Sequence, residues 1–418
     1  MTAKTRVAPA SPSPPAHVLP PTPAMPTHAG PRGIWFDFNE GCRVQLPPGE
    51  WRVRFSDLDT DNVLFDAKLA GGAVRSPRIY YLRYRIEVWR GDELVFSHDY
   101  SAKGRDVLMH IGGGVLGDTI GWFPYAVKFM DKHGCRVTCA MAQALIPLFK
   151  DAYPQIAFVA HEAVRREDYY ATYHLGVAFT DDERRVLPCD FRLVGAHRAV
   201  GYALGVDPAE TRPAIALADE GRPIGEPYVC IAVQSTLQCK YWNHPDGWRE
   251  VVADLKASGY RVICIDQKRQ YGLAGPLNTI PEGAEDETGD RPLTERARWL
   301  KHADFFVGLA SGLSWLAWAM EKPVVMISGF SHPITEFATP YRVINYNTCN
   351  SCWNDPRLTF DRNDFLWCPR QGGTPRQFEC SRHITPAQVK AMLRTIPGYG
   401  GTPLPEGEGG AHGGAMGG

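Results

Sequence analysis

Apolar and polar positions alternate at period two from Gly33 to about Tyr100: Trp51, Val53 and Phe55 in one run, Ile79 and Tyr81 in another, Ile86 and Val88 against Arg85 and Glu87 in a third. Such alternation puts successive side chains on opposite faces of a pleated strand. Turn signals at Pro47-Pro48-Gly49, Gly71-Gly72 and Arg90-Gly91-Asp92 separate the runs, so residues 33–104 read as antiparallel strands of a small β-sandwich or barrel. The stretch holds no catalytic constellation. Its expected use is subunit contact or partner docking.

From Arg105 the texture changes. Asp106–Ile111 reads as a short buried strand, followed by a glycine loop, a helix over Thr119–Lys132, a strand at Cys135–Cys139 and a helix over Ala142–Tyr153. The same grammar restarts at Tyr228–Val233. Helix Gly247–Ser258, strand Tyr260–Ile265, helix Thr294–Lys301, strand Phe305–Gly308, helix Ser314–Met320 and strand Pro323–Ile327 come after it in turn. Two runs of βαβ units, 105–226 and 227–348, joined through a polar segment near 205–226, predict two doubly wound α/β lobes with parallel sheets. Ligands of such sheets lie beyond the carboxyl ends of the strands, which makes the cleft between the lobes the expected site. A helix is expected within 382–399.

Composition narrows the class. The 418 residues carry 45 Lys+Arg against 46 Asp+Glu, a formal charge of −1, so no global field draws the chain to nucleic acid or an anionic membrane. No stretch is long and apolar enough to span a bilayer. Nine prolines fall in the first 32 residues, which predict a disordered leader without a secretory h-region, and nine glycines in 400–418 predict a mobile tail. Eleven cysteines, odd and sparse, suit a reducing cytoplasm.

Four constellations bear on chemistry. Gly112-Gly113-Gly114-Val115-Leu116-Gly117-Asp118 satisfies G-x-G-x-x-G between a strand and a helix, but Val137–Met141 offers no acidic residue for a ribose, which disfavours a dinucleotide. The loop leaves room for a bulky ligand and starts a helix with Asp118, a candidate general base. In Gln234-Ser235-Thr236-Leu237-Gln238-Cys239-Lys240, at a strand's carboxyl end, hydroxyls and one ammonium form a candidate anion cradle. Gly308-Leu309-Ala310-Ser311-Gly312-Leu313-Ser314-Trp315 runs from a strand through small residues into an apolar helix whose unpaired N–H groups suit a diphosphate.

The fourth is Cys349-x₂-Cys352-x₁₅-Cys368-x₁₁-Cys380, four thiols within 349–381. The segment contains few core formers, so a structural metal is expected to order it, and spacing alone suggests zinc with iron compatible. Cys42, Cys135, Cys139, Cys189, Cys230, Cys239 and Cys264 read as small hydrophobes.

In order and spacing, the His110–Asp118 loop, the Lys240 loop and Gly308–Ala319 followed by Lys322-Pro323 resemble the lipopolysaccharide heptosyltransferases of the GT-B fold. With the N-terminal β domain and the cysteine quartet added, the chain resembles more closely the bacterial autotransporter heptosyltransferases, over roughly Gly33–Ile396. The resemblance implies a GT-B architecture with an acceptor lobe (105–226) and a donor lobe (227–348). It implies a cytoplasmic enzyme that attaches heptose from ADP-heptose to serines of an autotransporter adhesin. By position, Asp118 matches the catalytic base, flanked by Gly117 and Thr119, and Lys240 matches the lysine that supports the donor phosphates. Gln234 and Thr236 match donor contacts, Ser311, Gly312 and Ser314 the diphosphate-binding helix start, and Asp266 and Gln267 an adenosine ribose contact. The family's quartet holds iron, here Cys349, Cys352, Cys368 and Cys380, and its members form large ring-like homo-oligomers described as dodecamers.

The chain departs from the lipopolysaccharide enzymes at Ala310 and Trp315, where an Asp and a His are common, which argues against a lipid-core acceptor. Rival readings are a lipopolysaccharide-type heptosyltransferase or another nucleotide-sugar transferase of the same architecture, and a metal-stapled oligomeric scaffold that has lost activity.

Overall fold

A computed structural model describes residues 21–112, 115–179, 183–218, 221–273 and 278–401. The alternating N-terminal region folds as β1 (His28–Ala29), β2 (Trp35–Asp37), β3 (Arg43–Leu46), β4 (Trp51–Asp57), β5 (Val63–Leu69), β6 (Gly72–Arg75), β7 (Tyr84–Arg90) and β8 (Glu93–Asp99). They form two four-stranded antiparallel sheets, β1-β2-β3-β6 and β5-β4-β7-β8. The period-two pattern sets the register: Val53 lies opposite Val88 and Phe55 opposite Ile86, and all four are fully buried.

The leader expected through residue 32 is shorter than that. Thr22 Oγ1 donates to Glu40 at 2.5 Å, the Pro23 carbonyl accepts from Arg43 Nη1 at 2.7 Å, and the Thr27 N–H donates to the Asp37 carboxylate at 3.1 Å. Proline-rich backbone leaves its carbonyls unpaired, and here the buried Arg43–Asp37 pair takes one up. Residues 1–20 and the expected mobile tail beyond Gly401 lie outside the described residues.

The β domain is continuous with the first α/β lobe. Phe38 bridges Ala171, and its N–H and carbonyl bond Tyr170 and Thr172 at 3.2 and 3.1 Å. Tyr81 continues one aromatic core, edge-on to Tyr100 at 5.6 Å and to Phe129 at 5.5 Å.

The first lobe comprises β9 (Asp106–Ile111), α1 (Leu116–His133), β10 (Arg136–Met141), α2 (Ile146–Phe149), β11 (Ala157–Ala160), β12 (Ala171–Leu175), α3 (Phe191–Val194) and α4 (Ala196–Ala203), with parallel order β11-β10-β9-β12. The helix expected over 142–153 shrinks to the single turn α2. Pro147 has no N–H with which to continue a helix begun at 142, so α2 starts beside it, and Pro154 turns the preceding residue away from helix.

The second lobe comprises β13 (Tyr228–Ile231), α5 (Gly247–Ala257), β14 (Arg261–Cys264), the small hairpin β15 (Gln270–Tyr271) and β16 (Asn278–Thr279), β17 (Glu285–Asp286), α6 (Leu293–His302), β18 (Phe306–Leu309), α7 (Gly312–Ala319), β19 (Val324–Ile327) and β20 (Arg342–Val343). Its six strands are parallel in the order β17-β14-β13-β18-β19-β20. After the cysteine segment come α8 (Glu379–Arg382) and α9 (Pro386–Leu393), the latter opened by a Thr385–Gln388 capping box and tied to α5 through Lys390–Glu250 at 3.0 Å. The two lobes meet where α1 packs on α7, which is the GT-B arrangement. Among the described residues no helix is long and apolar enough to cross a membrane.

Candidate active site

Among the described residues no side chain caps the first turn of α1, so its N–H groups stay open to an acceptor. Gly117 and Gly121 stand one turn apart on the face that Trp315 of α7 covers. A Cβ on Gly121 would lie 3.1 Å from the indole, and one on Gly312 would lie 2.9 Å from Leu116 Cβ. Glycine at these places lets the two helix starts meet closely. The reading of this loop as open space therefore holds only in part: Gly117 serves the contact between lobes, and Gly113 and Gly114 lie outside the described residues.

Asp118 sits on the neighbouring face of α1, half-buried, with no side-chain hydrogen bond or ion pair among the described residues. Burial pushes its carboxyl up to about 6, while Lys240 and then Arg362 pull it back down. Both cations come from the second lobe's side of the cleft, close enough for their fields to reach the carboxylate. Lys240 ends a 3-10 turn over Gln238–Lys240, and its Nζ lies 5.8 Å from the centre of the Phe330 ring and 5.9 Å from that of Trp353. It too has no ion-pair partner among the described residues.

The other expected site residues divide. Ser311 and Gly312 stand at the α7 start beside Gly117, and Thr236 is exposed in the Lys240 loop. Gln234 is half-buried and donates through Nε2 to the Lys268 carbonyl at 2.6 Å. Gln267 is exposed, and its carbonyl accepts from the Gly289 N–H at 3.1 Å. Three side chains turn inward instead. Thr119 is fully buried, its hydroxyl without a partner among the described residues. Ser314 is fully buried and donates to the Leu309 carbonyl at 2.5 Å, closing the turn from β18 into α7. Asp266, 2% exposed, accepts the Val233 N–H at 2.7 Å and the Gln234 N–H at 3.3 Å, so its carboxylate shapes the start of the Lys240 loop from beneath.

The cysteine segment is better packed than its composition suggests. Trp353, Phe360, Phe365, Trp367 and Phe378 join the second lobe's core. The four thiols share one neighbourhood: burial and then Cys349 push the Cys352 thiol up to about 12, and burial together with Cys352, Cys368 and Cys349 raises Cys380. Arg370 Nη1 approaches Cys349 Sγ at 4.0 Å. Among the described residues no three His, Cys, Asp or Glu side chains converge closely enough to hold a metal ion. Of the remaining cysteines all but the half-buried Cys189 are buried, and Cys239 lies near Cys368 and Cys352.

Residues 30–92 match the family model of the glycosyltransferase TibC N-terminal domain, and 194–362 that of glycosyltransferase family 9 (heptosyltransferase). The autotransporter heptosyltransferase TibC of Escherichia coli O78:H11 is 51% identical over 376 residues, 90% of this chain and 92% of that one. The chain belongs to the autotransporter heptosyltransferase family. BAHTCr of Citrobacter rodentium, an autotransporter heptosyltransferase, is 52% identical over 90% of this chain and 91% of its own. BimC of Burkholderia thailandensis, 49% identical over 90% of this chain and 88% of its own, is an inactive autotransporter heptosyltransferase. The crystal structure of dodecameric iron-containing TibC with ADP-D-beta-D-heptose superposes with a TM-score of 0.87 at 50% identity, covering 90% of this chain and 98% of that one.

Within this family frame, sequence reasoning missed Arg362, Phe330 and Trp353. The available signal was position alone: Trp353 follows the Cys349-x₂-Cys352 pair, and Arg362 lies inside the same segment.

Proposed function

We propose that this chain is a protein O-heptosyltransferase that moves heptose from ADP-heptose to serine hydroxyls of an autotransporter adhesin passenger, acting in the cytoplasm. The observation that carries the reading is the pair of opposite charges, Asp118 and Lys240, on the two lobes, neither with an ion-pair partner among the described residues. A serine hydroxyl is a weak nucleophile at neutral pH. As its oxygen bonds to the anomeric carbon and the bond to the diphosphate breaks, Asp118 takes the hydroxyl proton. Negative charge gathers on the departing ADP, where the Lys240 ammonium and the N–H groups opening α7 at Ser311 and Gly312 stabilise it. Gln234, Thr236 and Gln267 rim the donor side. Thr119, Ser314 and Asp266 support that geometry from inside.

The segment's donor set fits iron, the metal named for the solved TibC. Cys349, Cys352, Cys368 and Cys380 would hold it as four thiolates, although the same soft set also suits zinc. An all-sulfur set leaves no position for substrate, so the ion would staple the segment. A large ring-like homo-oligomer is the assembly we assign, with the β domain as its contact surface; the solved TibC is dodecameric.

The inactive relative BimC supports a second reading, a scaffold without transfer. Co-expression with a β-helical adhesin passenger separates the two. A heptose-sized mass increment on passenger serines, lost in Asp118→Asn, supports transfer; an unmodified passenger supports the scaffold.

A further inference from the structure

Trp353 stands where three parts of the chain meet. Its ring lies 5.1 Å from Phe179 and 5.8 Å from Phe191 of the first lobe, and 5.5 Å from Phe330 and 4.6 Å from Phe360 on the other side. Its backbone N–H donates to the Phe330 carbonyl at 3.2 Å. The indole Nε1 finds no acceptor among the described residues, so packing alone fixes the ring.

The turn that ends in Lys240 is stitched to the same segment. The Gln238 N–H donates to the Phe365 carbonyl at 3.0 Å, and Asn243 Nδ2 to Ser381 Oγ at 2.9 Å. At the end of that turn the ammonium rests against two aromatic rings, Phe330 and Trp353, both just under 6 Å away. A lysine on four rotatable bonds needs something to hold it, and a carboxylate partner would cancel the charge that a diphosphate must meet. Aromatic faces hold a cation and leave its charge available.

We propose that Trp353 is a positioning residue for Lys240. Its indole, keyed into the first lobe by Phe179 and Phe191, closes with Phe330 an aromatic clamp that sets the ammonium against Asp118 across the cleft. The inference rests on the reading of Lys240 as the group that stabilises the diphosphate. It adds a residue of the cysteine segment to the site, beyond any stapling role.

The test uses the full-length, metal-loaded protein and two readouts, the affinity for ADP by calorimetry and the kcat and KM of heptose transfer. Trp353→Leu is expected to weaken ADP binding about tenfold and to lower kcat, and also to lower the melting temperature, since the ring packs between Phe179, Phe191, Phe330 and Phe360, so the comparison across backgrounds decides the role. Trp353→Phe restores both to within about threefold, because no hydrogen bond is lost and an aromatic face remains. In a Lys240→Ala background, Trp353→Leu changes ADP affinity less than about twofold, since the residue it acts through is gone. Equal weakening in both backgrounds, or no weakening in either, overturns the proposal. Should Trp353→Leu fail to fold, Phe330→Leu, the other half of the clamp, carries the same comparison. A wild-type protein that binds ADP but transfers nothing would end the transferase reading while the ADP comparison still decides the clamp.

Discussion

Gly117 and Trp315 touch across the boundary between the lobes so closely that a methyl group on the glycine would stand 2.7 Å from the indole Cδ1. The indole is held in turn by Phe337 at 5.0 Å, His197 at 5.4 Å and Trp318 at 5.6 Å. Since Gly117 immediately precedes Asp118, this contact sets the carboxylate against the second lobe. Alanine favours a helix over glycine by up to about 1 kcal/mol. Overpacking a fixed ring costs roughly 1–3 kcal/mol, so the clash wins. Gly117→Ala is expected to lower both the melting temperature and transfer, and Trp315→Leu in the same chain to recover part of the loss. Equal stability of Gly117→Ala and wild type would show that the lobes are free to part here.

The pH dependence follows from Asp118. With its carboxyl held near 6, the base is protonated below that value, so kcat/KM for transfer should rise about tenfold per pH unit up to 6 and level off above 7. The stability effect has the opposite sign. A carboxyl raised on folding binds more protons in the folded state between about 4 and 6, so stability falls as pH rises through that window. Asp118→Asn removes this cost. At pH 7.5 it should melt higher than wild type by the equivalent of roughly 1–2 kcal/mol, discounted for partial exposure, while losing transfer. A variant that melts lower and still transfers would remove Asp118 from the mechanism.

Asp266 supplies the control. Burial pushes it too up to about 6, with the Val233 and Gln234 N–H groups pulling it back. Unlike Asp118 it is fully engaged, and Arg296 braces its backbone by donating to the Asp266 carbonyl at 3.1 Å. Asp266→Ala strands the buried Val233 N–H and the half-buried Gln234 N–H at about 1–3 kcal/mol and should destabilise the chain at pH 7. ADP affinity should fall with it, through the Gln234 loop. Opposite shifts in melting temperature for Asp118→Asn and Asp266→Ala would separate the carboxylate kept for chemistry from the one kept for structure, whereas shifts of the same sign would not.

Much of this was legible in the chain. Apolar runs locate six of the ten parallel strands among the described residues within one or two residues, as at Tyr228–Ile231 and Val324–Ile327, because a strand covered on both faces needs a continuous apolar run, whereas β11, β12, β17 and β20 went unread. That Asp118 opens a helix and Lys240 lies in the loop after a strand was legible as well, from the alternation of strand and helix. What period and spacing do not carry is the direction of a side chain in a loop. Asp266, Ser314 and Thr119 each follow or precede a less buried neighbour, Gln267, Leu313 and Asp118, and only tertiary packing turns them inward. The docking of residues 22–32 and the Trp353 clamp depend on partners more than 100 residues away for Arg166 to Thr22 and for Phe179 to Trp353. No local pattern encodes such contacts.

The cysteine quartet tests the metal. Without an ion, thiols pushed as high as Cys352, at about 12, stay protonated at neutral pH, so uptake of a metal must displace protons and its affinity must fall steeply as pH drops. Because the segment has an aromatic core of its own, removing the metal should loosen it rather than unfold the chain. Chelation under reducing conditions, or Cys380→Ser, is expected to lower the melting temperature by about 5–10 °C and to weaken ADP binding, since the Lys240 turn hangs from the Phe365 carbonyl. Elemental analysis of the purified protein should find about one iron per chain, and fewer in the serine variant. If the protein carries no metal and Cys380→Ser melts like wild type, the four sulfurs are half-buried hydrophobes, and the order of the segment comes from Trp353, Phe360 and Trp367 alone.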